Sequence, residues 1–293
     1  MPWIQLHLTV EKRQAPLIER LLEKLGALSV TLGDAADEPL LEPAPGESPL
    51  WQKTRISGLF AEETDPDRLR NRIYEAVDHR IGQSLEWERL EDKQWERVWL
   101  ENFKPMKFGR RLWICPDGQR PQDGNGIYID LDPGLAFGTG THPTTALCLG
   151  WLDTQQLMGA RIVDYGCGSG ILSIAALKLG AREVIAIDHD PQALDATRAN
   201  GEKNGVLERL RIYHSESAPD IGKVELVLAN ILAGTLIDLE PVLAGLILPN
   251  GRIILSGLLG EQVEAVSAVY AVDFDLLEPT CLENWVLLEG NLR

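Results

Sequence analysis

The run Ile162-Val163-Asp164-Tyr165-Gly166-Cys167-Gly168-Ser169-Gly170-Ile171-Leu172 carries an apolar strand through a glycine-rich turn into a helix. Glycine is required where a backbone bends sharply or where a ligand presses against it. The start of the helix offers free amide groups beside that ligand. Spacing then separates the possible ligands. A dinucleotide turn needs Gly-x-Gly-x-x-Gly with a pyrophosphate facing the helix, but here the glycines stand at 166, 168 and 170 and position 171 is Ile. No Lys-Ser or Lys-Thr pair follows, which excludes a nucleoside-triphosphate loop. The turn opens with an acid, Asp164, whose carboxylate repels phosphate and suits a cationic ligand held directly or through water.

S-adenosylmethionine carries an ammonium and a sulfonium and no phosphate, so the electrostatics of the turn select it. A second acid agrees. The strand Val184-Ile185-Ala186-Ile187-Asp188 ends in a carboxylate ~20 residues beyond the turn, where an acid accepts hydrogen bonds from ribose hydroxyls. Asp190 suits a helix N-cap and Pro191 the first helical turn. Gly205 marks the end of that helix.

A third segment, Leu131 to Thr145, packs glycines, prolines and threonines just before a helix predicted from Pro143. We read it as a flap over the methionine end of the cofactor, with Phe137 shielding the sulfonium or offering it a ring face and with Thr139 and Gly140 beside it. The alternative is a rigid connector. His142 reads as a hydrogen-bonded loop residue in preference to a general base. In the fourth segment, Leu226-Val227-Leu228-Ala229-Asn230-Ile231-Leu232, a strand ends in Asn230 at the edge where open parallel sheets bind ligands. Methyl transfer to an amine needs a neutral nitrogen with its lone pair aimed at the methyl carbon, while a free lysine has a pKa near ~10.4. Carbonyl oxygens near Asn230 would hold the remaining N–H groups, which makes Asn230 the candidate catalytic residue. Its alternative role is to cap the next helix.

These segments need a scaffold. From Pro105 strand and helix alternate, with strands expected near 112–115, 126–131, 161–165, 183–188, 211–214, 224–229 and 252–256. This predicts an α/β domain with a parallel sheet covered on both faces. Phe274 to Leu277 and Trp285 to Glu289 are expected to form an antiparallel hairpin at the sheet edge. The first ~90 residues follow the order strand-helix-strand-strand-helix-strand of a ferredoxin-like α+β domain. Between them, Asp92 to Phe103 places Trp95, Val98, Trp99 and Phe103 on one helical stripe. The expected organisation is a substrate-recognition domain at 1–90, a helical linker at 91–104 and a Rossmann-like catalytic domain at 105–293.

Composition narrows the partners. Over 293 residues, 44% are hydrophobic and 25% charged, ordinary for a soluble globular chain. No apolar run approaches the ~20 residues of a membrane span, and the N-terminus lacks a signal-peptide pattern. A cytoplasmic protein is expected, without membrane contact. The four cysteines show no Cys-x-x-Cys pair, so neither zinc nor a disulfide framework is expected. A net charge of −16 repels nucleic-acid backbones and suits a basic protein substrate.

The Leu131–Thr145 run, the glycine turn, Asp188 with Asp190-Pro191, Asn230-Ile231-Leu232-Ala233, Trp95-Glu96-Arg97 and Phe103-Lys104-Pro105-Met106 together resemble the ribosomal protein L-eleven methyltransferase family. The match is close in the catalytic half and the connector. In the first 90 residues it rests on fold order. The resemblance implies a class I S-adenosylmethionine-dependent methyltransferase acting on lysine side chains and the N-terminal α-amine of protein eleven of the large ribosomal subunit. It carries cofactor contacts onto Thr145, Gly166, Asp188 and Asn230. With Asp164, Gly168, Phe137, Thr139 and Gly140 from the segments above, these are the candidate site residues. A methyltransferase for another protein, RNA or a small molecule, or a binding module without turnover, remain the competing readings.

Overall fold

Alternation of apolar and polar residues shapes the first unit. The computed structural model describes residues 3–36, 50–77, 85–90, 104–131 and 140–293. The chain divides into two compact units, Met1–Trp99 and Leu100–Arg293. In the first, Leu6, Leu8 and Val10 of strand β1 (Trp3–Glu11) and Ile56 and Phe60 of β3 (Lys53–Ala61) are buried. They pack against Ile18 and Leu22 of helix α1 (Ala15–Lys24) and Leu69 and Ile73 of α2 (Pro66–Ala76). Gly26 ends α1 at φ +97°, a conformation open to glycine and costly for other residues. Asp65 caps α2, accepting from the amides of Asp67 and Arg68 at 3.0 and 3.2 Å. With β2 (Ser29–Asp34) and β4 (Glu86–Leu90) the sheet order is β2-β3-β1-β4, every neighbouring pair antiparallel. This is the ferredoxin-like arrangement, helices on one face of the sheet.

The second unit has two sheets. Five parallel strands run from one edge of the larger one: β8 (Arg161–Tyr165), β9 (Glu183–Asp188), β10 (Leu210–His214), β11 (Val224–Asn230) and β12 (Ile247–Leu259). Consecutive residues serve opposite cores. Ile162, Leu226, Leu228 and Ile254 face one, while Val163, Val227, Ala229 and Leu255 face the other. That is the period-two signature of a sheet covered on both sides. Helices α3 (Pro143–Thr154), α4 (Ile171–Lys178), α5 (Pro191–Lys203), α6 (Ala233–Gly245) and α7 (Val263–Tyr270) provide the cover. Ile171 to Leu177 of α4 are all buried, so that helix shows no polar face.

Strand order is β10-β9-β8-β11-β12-β15-β13, with β15 (Trp285–Leu292) antiparallel to its neighbours, β13 (Phe274–Leu276) outermost and β14 (Thr280–Leu282) also paired to β15. The expected antiparallel pair at the sheet edge is present: β13 pairs with β15, and β15 joins the pair to β12. From β8 the chain builds outward to β10, then returns to β11 on the other side. The switch point therefore lies between β8 and β11, where such sheets bind ligands beyond the strands' carboxyl ends. The smaller sheet is β5 (Met106–Phe108), β6 (Leu112–Cys115) and β7 (Ile127–Asp130). The expected helix from Asp92 to Phe103 lies outside the described residues.

Asp153, near the end of α3, holds the β5–β6 turn. Its carboxylate, 1% exposed, accepts from the Arg110 amide at 2.6 Å, the Arg111 amide at 3.2 Å and Arg111 Nε at 3.2 Å. Replacing it by Ala orphans these donors. Asp153→Ala is expected to lower the unfolding free energy by about 2–3 kcal/mol in urea titrations. A loss below about 0.5 kcal/mol, the scale of an ordinary surface change, would contradict this role.

Candidate functional site

Three left-handed residues make the turn after β8. Gly166, Gly168 and Gly170 have φ of +78°, +54° and +78°. The Gly166 and Cys167 amides donate to Ile187 O on β9 at 2.8 and 3.1 Å, and Gly170 N donates back to Cys167 O at 2.8 Å. The turn is also crowded from below. A Cβ on Gly166 would overlap the Cγ2 methyl of Ile231, and one on Gly170 would lie 2.9 Å from Thr197. Gly257 on β12 is left-handed too, and a Cβ there would overlap the Ile231 backbone. Ile231 thus sits wedged between two glycines.

The two acids of the turn part company. Asp188 ends β9 at the rim. Its Oδ2 accepts from Gly168 N at 2.9 Å and its Oδ1 from Asp190 N at 3.0 Å. Its carboxylate is thereby aimed at the turn. Asp164 is turned inward instead. It is 1% exposed, and its Oδ2 accepts from Ser173 N at 3.0 Å and Ser173 Oγ at 2.6 Å. The cation contact expected of Asp164 gives way to a tie between β8 and α4. Burial pushes its carboxyl up to about 6, the two Ser173 bonds oppose this, and the charge of Asp188 adds to it.

Helix α5 begins as expected, with Asp190 accepting from Gln192 N at 2.9 Å and Pro191 in the first turn. Its middle does what the sequence did not reveal. Thr197 Oγ1 donates to Gly168 O at 2.9 Å and Asn200 Nδ2 to Ser169 O at 2.9 Å.

Asn230 ends β11, half-buried, and its Nδ2 lies 3.5 Å from Oγ1 of buried Thr145 on α3. This joins two candidates 85 residues apart. The helix-capping alternative fails, because Leu232 is the N-cap of α6 and no side chain caps it. Gly140 is buried at φ +91°, within 3.6 Å of Ile171, Met106 and Ile114 as measured from an added Cβ. Phe137 and Thr139 lie outside the described residues. His142 is the N-cap of α3, with Nδ1 2.7 Å from Thr144 Oγ1 and its ring edge-on to Trp285 at 4.6 Å. Burial lowers its pKa, with Glu283 opposing, which favours the neutral ring. No sequence pattern marks Trp285 as the neighbour of His142, since the contact spans 143 positions.

Carboxyl ends of β8, β9 and β11 thus present a glycine-rich turn, a carboxylate and a carboxamide around one switch point. Fold and site together define a class I methyltransferase domain, which uses S-adenosylmethionine. A model of the ribosomal protein L11 methyltransferase (PrmA) family matches residues 2–293. The chain is 49% identical to a ribosomal protein L11 methyltransferase of Hahella chejuensis, over 99% of this chain and 98% of that one. It is 48% identical to the protein of the same name from Mannheimia succiniciproducens, over the full length of both. A solved structure titled ribosomal protein L11 methylase, from Lactobacillus delbrueckii subsp. bulgaricus, superposes with a TM-score of 0.61 at 32% identity, over 65% of this chain and 100% of that one. The chain belongs to the ribosomal protein L11 methyltransferase family.

Asp164 also gives the site a pH signature. Its carboxyl, ordinarily 3.8, stands near 6 in the fold. A folded value above the unfolded one favours the protonated native form. Its stabilisation is full below about pH 4 and is lost as pH rises through about 6. Asp164→Asn keeps an acceptor for Ser173 without the charge. The wild-type minus variant unfolding free energy is expected to fall between pH 4 and pH 7 in urea titrations. A difference independent of pH would contradict the assignment.

Proposed function

We propose that this enzyme transfers methyl groups from S-adenosylmethionine to amino groups of ribosomal protein L11, on lysine side chains and the N-terminal α-amine. The observation that carries the reading is the meeting of the glycine turn, Asp188 and Asn230 at one switch point. The donor set fits the cofactor. Asp188 has acceptor capacity for ribose hydroxyls beyond its two amide partners. Gly166 and Gly168 admit a nucleoside close to the backbone, and Thr145 and Gly140 bound the methionine end. Bound there, S-adenosylmethionine supplies an electrophilic methyl group on its sulfonium.

The chain's own residues do the rest by positioning. An acceptor amine must be neutral, and desolvation at the strand ends lowers its pKa. Asn230 and neighbouring carbonyls hold its remaining N–H groups and aim the lone pair, the entropic part of catalysis. Residues 1–90 serve as the substrate-recognition domain, 91–104 as the linker and 105–293 as the catalytic domain. The net charge of −16 attracts a basic ribosomal protein and disfavours dependence on nucleic acid. Among the described residues no helix is long and apolar enough to cross a membrane, and we place the enzyme in the cytoplasm with its substrate.

With cofactor labelled in the methyl group, purified L11 is expected to take up label. Label on RNA or a metabolite in its place would overturn the substrate. Asn230→Ala is expected to lower kcat for L11 roughly 100-fold, the scale of misplacing reacting groups; an unchanged kcat would remove Asn230 from the reaction.

Asp188→Ala is expected to weaken cofactor binding by about 1–3 kcal/mol in calorimetry. Unchanged affinity would remove Asp188 from the site. Gly166→Ala is expected to weaken binding as well, through Ile231 and the left-handed backbone rather than by filling the cofactor's space alone. Adding Ile231→Ala is then expected to recover part of the affinity; no recovery would assign the whole loss to backbone strain or direct blockage.

A further inference from the structure

Helix α5 places two polar side chains where apolar ones would pack. Thr197 is fully buried and Asn200 is 9% exposed. Neither is a strong helix former, and Ala would serve the helix better. Burying a hydroxyl and an amide is costly unless both are hydrogen-bonded. Both are, and on the same target. Thr197 Oγ1 donates to Gly168 O and Asn200 Nδ2 to Ser169 O, each at 2.9 Å. The packing is direct, since a Cβ on Gly170 would also lie 3.2 Å from Thr197 Cα.

Two consecutive peptide groups are therefore fixed from behind. In a trans peptide the C=O and N–H point in opposite directions. Anchoring the Gly168 and Ser169 carbonyls on α5 sets the Ser169 and Gly170 amides on the side away from that helix. Gly168 is gripped at both polar groups, its N–H on Asp188 and its C=O on Thr197. A glycine free to sample both signs of φ would otherwise let this peptide rotate, and Asp188 would lose a fixed donor.

We infer that Thr197 and Asn200 are positioning residues for the cofactor, acting through the turn and through Asp188 without touching the nucleoside. The inference rests on the cofactor lying against Gly166–Gly170 and Asp188.

The test compares Thr197→Val, Thr197→Ser and Asn200→Ala in the full-length enzyme. Readouts are thermal unfolding, calorimetric Kd for S-adenosylhomocysteine, and separate KM values for S-adenosylmethionine and L11. Thr197→Val keeps the shape and removes the donor. It is expected to raise Kd and the cofactor KM about tenfold, leaving KM for L11 within about twofold. Thr197→Ser is expected to restore both to within about twofold. Asn200→Ala is expected to show the same split and decides the matter if Thr197→Val does not fold. A helix that merely packs would lose melting temperature with Kd unchanged, and that result overturns the inference. Asp188→Ala in parallel separates the two levels. If it weakens binding while the α5 variants do not, only the positioning role falls; if it too is silent, the site placement falls and takes this inference with it.

Discussion

A backbone that turns left-handed at three positions in five residues has no tendency to stay in one arrangement by itself. Glycine allows the turn and at the same time makes it loose. The structure answers with side chains from three elements. Asp188 holds the Gly168 amide, Thr197 and Asn200 hold the two following carbonyls, and Asp164 ties the strand below to Ser173 on the helix beyond. At Gly166, Gly168 and Gly170 the main chain carries no side chain, which lets another group approach it closely. Everything the enzyme does depends on this turn being both open and stiff.

Two aspartates on neighbouring strands show how burial separates chemistry. Asp164 lies under the turn, where desolvation raises its pKa and its work is structural. Asp188 stands at the rim of the neighbouring strand, one oxygen on the turn and one on the entry to α5. Asn230 and Thr145 repeat the theme across the switch point, a strand end and a helix start joined by a side-chain contact. The glycine pair around Ile231 serves the same geometry. It lets the residue after Asn230 pass tightly between β8 and β12, which fixes where the carboxamide emerges.

Much of this was legible in the sequence because it is local. The glycine turn, the acid at the end of β9, the Asp190-Pro191 start of α5 and the alternation of strand and helix each lie within a few consecutive residues. What stayed hidden is what folding brings together from afar. Nothing in the spacing marks Thr197, 29 positions from Gly168, as its partner, or Trp285 as the neighbour of His142. The inward turn of Asp164 was equally invisible, because an acid before a glycine reads alike whether buried or open. β5 and β14 have three residues each, too few for an alternating pattern to show. The insertion of β15 between β12 and β13 is a matter of sheet topology, which pairwise patterns near the chain end do not encode. The Phe137 and Thr139 expectations fall outside the described residues.

In the site we propose, an adenosyl group rests on the glycine turn with its ribose on Asp188. A crystal structure of the enzyme with S-adenosylhomocysteine tests it most directly. The expected result is density for the nucleoside within van der Waals contact of Gly166 and Gly168, its ribose hydroxyls within hydrogen-bonding distance of the Asp188 carboxylate. Density for the adenosyl group elsewhere on the molecule, away from both, would contradict the account.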